Sequence, residues 1–490
     1  MWLKNLFGRA HTKRPLFLYN TLGKAKQEFA LPSYSSTVRM YNCGPTVYDT
    51  SHIGNLRSYV FADIVRRTLE YNGYTVKQVI NITDFGHLSS DADAGPDKMT
   101  KALKREELEL SMENMRALAE RYTEQFLTDL KTLNINTERI AFPRASDHIR
   151  GEIALIHTLE EKGYTYRGED GVYYDTSRFS AYGKLGNINI SGLKAGARVA
   201  AEPDKRSPTD FLLWKLDKHL GWDSPWGKGF PGWHIECSAM INATLGKQID
   251  IHTGGIDLLP THHNNEIAQS EVATGKRPFS RFWMHHEFLN IDKEKISKSL
   301  GNMINLAELS EKGFHPLALR YLFLGAHYRT PMNFTWEALE AAQTSFLKLR
   351  SLIDSEKQTG AIPKTWEAKI HERFNDDLDT PGALGILWEM VKDRDLARAD
   401  IRAGILDADR VLGLGFDKPD AAAKTLYERI FGVPVELDAL PERVRTLVEA
   451  REAARKEKDW THADSLRSEL QKMNYMVEDT SSGPRLFKRD

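Results

Sequence analysis

The chain has 490 residues, and its 67 lysines and arginines against 68 aspartates and glutamates leave a formal net charge of −1. That length exceeds what one hydrophobic core organises, so three or more structural units are expected. The balanced charge excludes a protein that coats nucleic acid indiscriminately, but not one with a local basic patch. No apolar run reaches the length that spans a bilayer: the longest, Leu317–Ala326, carries Arg320 and reads as a core helix. The first residues, Met1–Arg14, are short, basic and mixed, unlike a transit peptide, and a cytoplasmic monomer without a membrane partner is expected.

In chain order, Val38-Arg39-Met40-Tyr41 reads as a strand that stops at the turn signal Cys43-Gly44-Pro45. Leu56, Val60 and Ile64 with Phe61, Val65 and Leu69 then form a helical stripe that closes near Asn72-Gly73. Tyr74–Ile82 reads as a second strand. This is a βαβ unit, for which a parallel pair with ligands at the carboxyl ends of the strands is expected. Cys43 and His52 both fall in its first strand-to-helix connection. A long polar helix is predicted over Glu106–Leu133. From Phe142 to Phe230 the pattern turns irregular, with short β-like pieces such as Val172-Tyr173-Tyr174, as an insertion between two halves of one fold would. Alternation resumes with a helix over Ile235–Leu245, a strand over Gln248–His252, a helix over His263–Thr274 and a strand over Phe282–Leu289. Beyond Asn302 helical stripes dominate, as in Leu317, Leu319, Tyr321, Leu322 and Leu324, then Leu384 to Val391. A last unit, Leu440–Asp490, opens with a charged helix pair and ends in a β-like tail.

Two short motifs stand out. His52-Ile53-Gly54-Asn55 opens a predicted helix after an apolar run, and Lys295-Ile296-Ser297-Lys298-Ser299 precedes Leu300-Gly301-Asn302. Alone, the first reads as a helix cap and the second as a lysine-rich turn. The only two cysteines, Cys43 and Cys237, would by default be small buried apolar residues. Cys43, however, ends a strand at the ligand edge, and Cys237 sits in Gly232-Trp233-His234-Ile235-Glu236-Cys237. Further on, in Thr261-His262-His263-Asn264-Asn265-Glu266, the i and i+4 spacing puts His262 and Glu266 on one helix face. Two thiolates, an imidazole and a carboxylate make a four-ligand zinc set. Spacing alone leaves that the minority reading, because the ligands are not compact CxxC knuckles; His262 as a cap and Glu266 as a solvated side chain is the plainer one.

In this order and with this alternation between them, the two motifs resemble the HIGH and KMSKS signatures of class I aminoacyl-tRNA synthetases. Tyr41–Thr50, Trp233–Met240 and Thr261–Glu266 resemble the three zinc-bearing segments of the cysteinyl-tRNA synthetase family. The likeness continues through Phe142–Ser146, Asp210–Lys215, His327–Arg329, Asp376–Pro381 and Arg451–Leu470.

The resemblance implies an α/β Rossmann-like parallel-sheet catalytic domain, split by an inserted connective domain and followed by C-terminal helical domains. The expected boundaries are an entry segment at 1–35, catalytic halves at 36–140 and 231–302, and the insertion at 141–230. A helical stem-contact and bundle domain at 303–435 and an anticodon-binding domain at 436–490 follow. It implies a ligase acting on cysteine, ATP with Mg²⁺, and tRNA(Cys), with one zinc ion per chain held by Cys43, Cys237, His262 and Glu266. Thr83, Trp233, His252 and Asp257 would line the amino-acid pocket. His52, Asn55, Lys295 and Lys298 would act on the phosphates, with Gly44, Thr46 and Gly54 also against ATP. Zinc suits the task because a soft cation favours a thiolate over the hydroxyl of serine, which an apolar pocket rejects only about 10–200-fold.

Two departures stand beside the likeness. Asn55 replaces the last histidine of the first signature, and Asn81–Asp91 with the residues to Lys98 replace a shorter, differently charged loop. One rival is the cysteine ligase of the mycothiol pathway, with an amino-sugar acceptor; Arg451–Arg467, which resembles an anticodon-binding helix pair, argues against it. A tRNA-binding paralogue without chemistry would have lost His52, Lys298 or a zinc ligand, and all are present.

Overall fold

The computed structural model describes residues 14–32, 35–85, 98–188, 205–292, 294–295, 303–480 and 483–489. The expectations for the first thirteen residues, for residues 86–97 and for 296–302, Lys298 among them, lie outside the described residues. The chain divides into two compact units. The first comprises Met1–Glu308, Ala326–Thr335 and Arg373–Asp379, and the second Leu309–Gly325, Trp336–Glu372 and Thr380–Asp490.

The first unit opens with a hairpin, β1 (Phe17–Asn20) and β2 (Ala25–Glu28), and then builds a five-stranded sheet. The predicted βαβ unit is β3 (Thr37–Asn42), α1 (Ile53–Tyr71) and β4 (Thr75–Ile80), with Thr37 to Asn42 in parallel register with Thr75 to Ile80. The helix forms where the apolar stripe predicts it, and Ile53, Leu56, Val60, Ile64, Val65 and Leu69 are all buried. The helix predicted over Glu106–Leu133 is α3 (Met112–Thr132), which starts six residues later than expected, and α2 (Lys98–Arg105), which the sequence reading does not contain, precedes it. Glu107 takes a left-handed φ of 57°, which ends one helix, and Ser111 caps the next by accepting the N–H of Asn114 at 3.1 Å.

After β5 (Ile140–Ala141) comes the insertion: α4 (Ile149–Glu161) and an antiparallel four-stranded sheet of β6 (Thr165–Arg167), β7 (Gly171–Tyr174), β8 (Phe211–Leu216) and β9 (Gly229–Pro231), paired in that order. The β-like piece Val172-Tyr173-Tyr174 lies in β7, whose residues are all buried, so the strand shows no alternation. Tyr174, Phe211, Trp214 and Trp226 build the core there.

The catalytic sheet resumes with α5 (Trp233–Thr244), β10 (Ile249–Gly255), α6 (His262–Thr274) and β11 (Ser280–His286). The strand order is β11-β10-β3-β4-β5, and every neighbouring pair is parallel. The predicted strand Phe282–Leu289 divides at His286: beyond it, β12 (Leu289–Ile291) joins a second sheet with β13 (Glu294–Lys295) and β14 (Met332–Phe334).

The second unit is helical, over Pro316–Leu324, Trp336–Ser355, Thr380–Lys392, Arg398–Leu412 and Ala421–Phe431. Arg320, the charge inside the predicted core helix, is fully buried and donates from Nε to the carbonyl of Leu412 at 2.7 Å. The predicted charged helix pair is Glu442–Lys456 and Trp460–Lys472, backed by a three-stranded sheet that includes Tyr475–Thr480 and Gly483–Lys488. No helix among the described residues is long and apolar enough to cross a membrane.

Candidate functional site

The strand order reverses between β3 and β10: the chain runs outward from β3 through β4 to β5, then returns to the other side of β3. Connections therefore leave that pair of carboxyl ends in opposite directions and open a crevice, where open α/β sheets bind their ligands. Cys43 and Gly44 follow the end of β3, and His252 to Gly255 form the end of β10. Gly44 is required by close approach. A Cβ there would lie 1.6 Å from the carbonyl oxygen of Asn81, and its N–H donates to Asn81 Oδ1 at 2.7 Å.

The two cysteines, 194 positions apart, meet here. Cys43 Sγ lies 3.8 Å from Glu266 Oε1, and Cys237 Sγ lies 3.5 Å from His262 Nε2. His262 Nε2 is 2.8 Å from Glu266 Oε1, the i, i+4 pair that the spacing on α6 predicts. The ligand atoms of Cys43, Cys237, His262 and Glu266 all lie within 4.8 Å of one another, so a tetrahedral ion with bonds of about 2.0–2.3 Å can gather them with small rotations. The donor set fits zinc. An overlapping set, Cys43, His252, His263 and Glu266, shares two of these ligands. In the first set Cys43, Cys237 and His262 line the open cleft; His252 and His263 lie behind it, fully buried.

The electrostatics bind the first set together. The hydrogen bond from Cys43 pulls the Cys237 thiol down to about 6, while burial pushes Cys43 up, so the pair favours one thiolate. Burial opposes charge on His262, but Glu266 and Cys237 outweigh it and lift the imidazole to about 10. Burial likewise opposes ionisation of Glu266, and His252 and His262 outweigh it, holding the carboxyl below the usual range.

A cleft of about 280 Å³ runs from these thiols to the first turn of α1. At the near end Trp233 stands with its ring 4.2 Å from that of His262, and Asp257 lies on the wall. At the far end are His52, Gly54 and Asn55. His52 caps α1: its Nδ1 accepts the N–H groups of Gly54 at 3.1 Å and Asn55 at 3.3 Å. Asn55 Oδ1 accepts the N–H of His52 in return. The ring proton of neutral His52 therefore sits on Nε2, and Asn55 turns its amide nitrogen away from the cap. The residues on either side of the predicted phosphate loop flank this end. Lys295 pairs through its backbone with Asn290, and Ile304 and Asn305 pair with Ile53 and His52.

Not every predicted residue faces the cleft. His252 is fully buried with Nε2 2.7 Å from Glu266 Oε2, behind that carboxylate and stacked on Trp283 at 4.4 Å. Thr83 is buried and donates to Glu236 Oε2 at 2.7 Å, and Thr46 bridges to Thr83 through the backbone. The cleft also includes residues that sequence reasoning missed: Ser58, Tyr59, His286, Phe288 and Leu289.

These features are those of a class I synthetase catalytic fold, and the comparisons agree. Residues 30–344 match the family described as tRNA synthetases class I (C) catalytic domain, and residues 437–484 match the cysteinyl-tRNA ligase anticodon binding domain. A structure of Mycobacterium tuberculosis methionyl-tRNA synthetase with methionyl-adenylate superposes with a TM-score of 0.53 at 14% identity, covering 80% of this chain and 91% of that one; it shares the fold. Cysteine–tRNA ligase 1 of Burkholderia lata is 47% identical over 479 residues, covering 96% of this chain and 97% of the relative. The cysteine–tRNA ligase of Treponema denticola is 41% identical over 495 residues, 95% of this chain and 98% of the relative. The chain belongs to the cysteine–tRNA ligase family.

Proposed function

We propose that this chain activates L-cysteine with ATP and transfers it to the 3′ end of tRNA(Cys). In the first step the cysteine carboxylate forms a bond to the α-phosphorus as the bond to pyrophosphate breaks. The observation that carries this reading is the meeting of Cys43, Cys237, His262 and Glu266 at one end of a cleft whose other end is the His52-capped turn of α1.

A zinc ion held by those four residues, one per chain, would supply a soft Lewis acid that favours a thiol as thiolate over a serine hydroxyl. Trp233 closes the side of that pocket and Asp257 offers a carboxylate for the substrate ammonium, with Thr83 and His252 supporting the wall from behind. His52 presents Nε2–H to the α-phosphoryl oxygens as their charge grows, and Asn55 adds its amide N–H. Gly44 and Thr46 bring backbone close to the nucleotide. Lys295 and Lys298 hold the β- and γ-phosphates together with Mg²⁺. Residues 303–435 serve as the stem-contact and bundle region and 436–490 as the anticodon reader. The anticodon-domain match at residues 437–484 favours tRNA over an amino-sugar as acceptor. Charging of a tRNA(Cys) transcript with cysteine by the full chain tests the proposal; cysteine-dependent use of ATP with transfer to an amino-sugar and none to tRNA would overturn it.

A further inference from the structure

Tyr41 sits at the middle of the catalytic sheet, in register with His252 on β10 and with Val79 on β4, and it is fully buried. It shares one core cluster with Cys237 of α5, and Cys43 packs against that cluster. The ring suits such surroundings, but the hydroxyl has no hydrogen-bond partner among the described residues. A buried donor left unused destabilises a fold, so native chains rarely carry one without a reason. Burial first, then the negative charge that Cys237, Cys43 and Glu266 would carry, hold the phenol well above its usual range. It keeps its proton, and three of the four residues of the metal set act on that one donor.

Resting on the zinc reading proposed above, the charges of that set give such a donor its use. Two thiolates and one carboxylate outweigh a divalent ion by one negative charge, and the thiolate of a bound cysteine adds another. In a dry site that excess is costly unless hydrogen bonds meet the sulfurs. Cys43 Sγ has His263 Nε2 at 3.4 Å, on a ring outside the set. The partners of Cys237 are fellow ligands, with His262 Nε2 at 3.5 Å and Cys43 as its hydrogen-bond donor, and loading turns both toward the ion. The donor left at hand for its sulfur is Tyr41.

We propose that Tyr41 is a positioning residue whose hydroxyl donates to the Cys237 sulfur of the loaded site, drawing off charge so that the set holds its metal and admits a substrate thiol. Phenylalanine at this position fills the same space and removes only the donor.

The test compares the full chain with Tyr41→Phe, metal-free and loaded with Co²⁺, whose thiolate-to-metal absorption reports on the sulfurs directly. Without the donor that band should move to longer wavelength, because the lone pairs of an unbonded thiolate lie higher in energy. Co²⁺ should bind about 10–100-fold more weakly, the usual effect of removing a group that supports a ligand. The KM for cysteine should rise about tenfold, with that for ATP within about twofold of the parent. The metal-free variant should melt no lower than the parent, since it loses a bond that is not made there. A metal-free variant that melts lower or does not fold, or an unmoved band with Co²⁺ affinity unchanged, would overturn the assignment. The unmoved band is the result expected if the hydroxyl serves instead the Nδ1 of His252, which is likewise without a partner among the described residues. A parent chain that binds no Co²⁺ through sulfur would contradict the zinc reading and this proposal with it, whereas a parent that binds it and a variant that leaves the band in place would remove the role of Tyr41 alone.

Discussion

His52 Nδ1 accepts the backbone N–H of Gly54 at 3.1 Å, so one imidazole both starts helix α1 and fixes which of its own nitrogens bears a proton. The two duties can be separated. Asparagine is among the best N-caps, so His52→Asn should keep thermal stability within about 0.5 kcal/mol of the parent. It removes the outward Nε2–H, and cysteine-dependent pyrophosphate exchange should fall about 10²–10³-fold, as for loss of one transition-state donor. Exchange at the parental rate would remove His52 from the phosphate chemistry.

The thiol cluster makes a second prediction. Purified protein should hold about one zinc per chain, and Cys237→Ser should lose it, because a serine hydroxyl is a poor substitute for a thiolate. Metal binding must displace the proton that Glu266 and Cys237 hold on His262, lifted to about 10. Binding therefore releases protons and should tighten as pH rises between 6 and 8. Competition against a chromophoric chelator across that range measures it; an affinity independent of pH would contradict the ligand set.

Asp129 on α3 is a buried carboxyl with Gln125 as the donor to Oδ1 and no hydrogen-bond partner at Oδ2 among the described residues. Burial, partly offset by Gln125, raises it to about 6. Its folded value lies above the unfolded one near 3.9, so the fold prefers the protonated form. The stability that this preference contributes is complete below about pH 4 and is lost as pH rises through 6. Asp129→Asn should thus match the parent at pH 4 and exceed it at pH 7.5 by roughly 1–3 kcal/mol, the cost of an unsatisfied buried group. Denaturant melts at the two pH values decide; a variant less stable at pH 7.5 would show that the carboxylate is ionised and paired.

Trp460 opens the helix Trp460–Lys472 and is 58% exposed, the largest exposure among the big apolar side chains of the described residues. An aromatic face beside basic side chains is what an unstacked base meets. Trp460→Ala should leave pyrophosphate exchange unchanged and lower charging of tRNA(Cys) by about tenfold, on the order of 1–3 kcal/mol for a stacked base. Equal charging by both proteins would place the tRNA contact elsewhere.

The sequence makes the frame of the catalytic sheet readable because Leu56, Val60 and Ile64 repeat at helical spacing and β3 and β4 are short stretches carrying Val38, Met40 and Tyr41 and Val76, Val79 and Ile80, each bounded by a turn signal. The His262–Glu266 pair is readable for the same reason: both lie on one helix, four residues apart. What brings Cys43 and Cys237 to that pair is strand order, which no local pattern carries; the family likeness supplies it. The late start of α3 follows from one left-handed residue, Glu107, after which the chain reaches the helix only at its Ser111 cap, and β7 reads as no more than a β-like piece because both of its faces are buried. Ser58 and His286 escape notice because a serine inside a helix and a histidine ending a strand look ordinary until their 228-residue separation closes to 2.7 Å.

The most direct measurement is ATP–pyrophosphate exchange by the zinc-loaded full chain with cysteine and serine side by side. The metal–thiolate account predicts exchange with cysteine and a kcat/KM for serine lower by about 10⁴-fold or more, beyond the roughly 10–200-fold that shape alone provides in an apolar pocket. Discrimination within that smaller range, or exchange that persists unchanged in Cys237→Ser without metal, would contradict it.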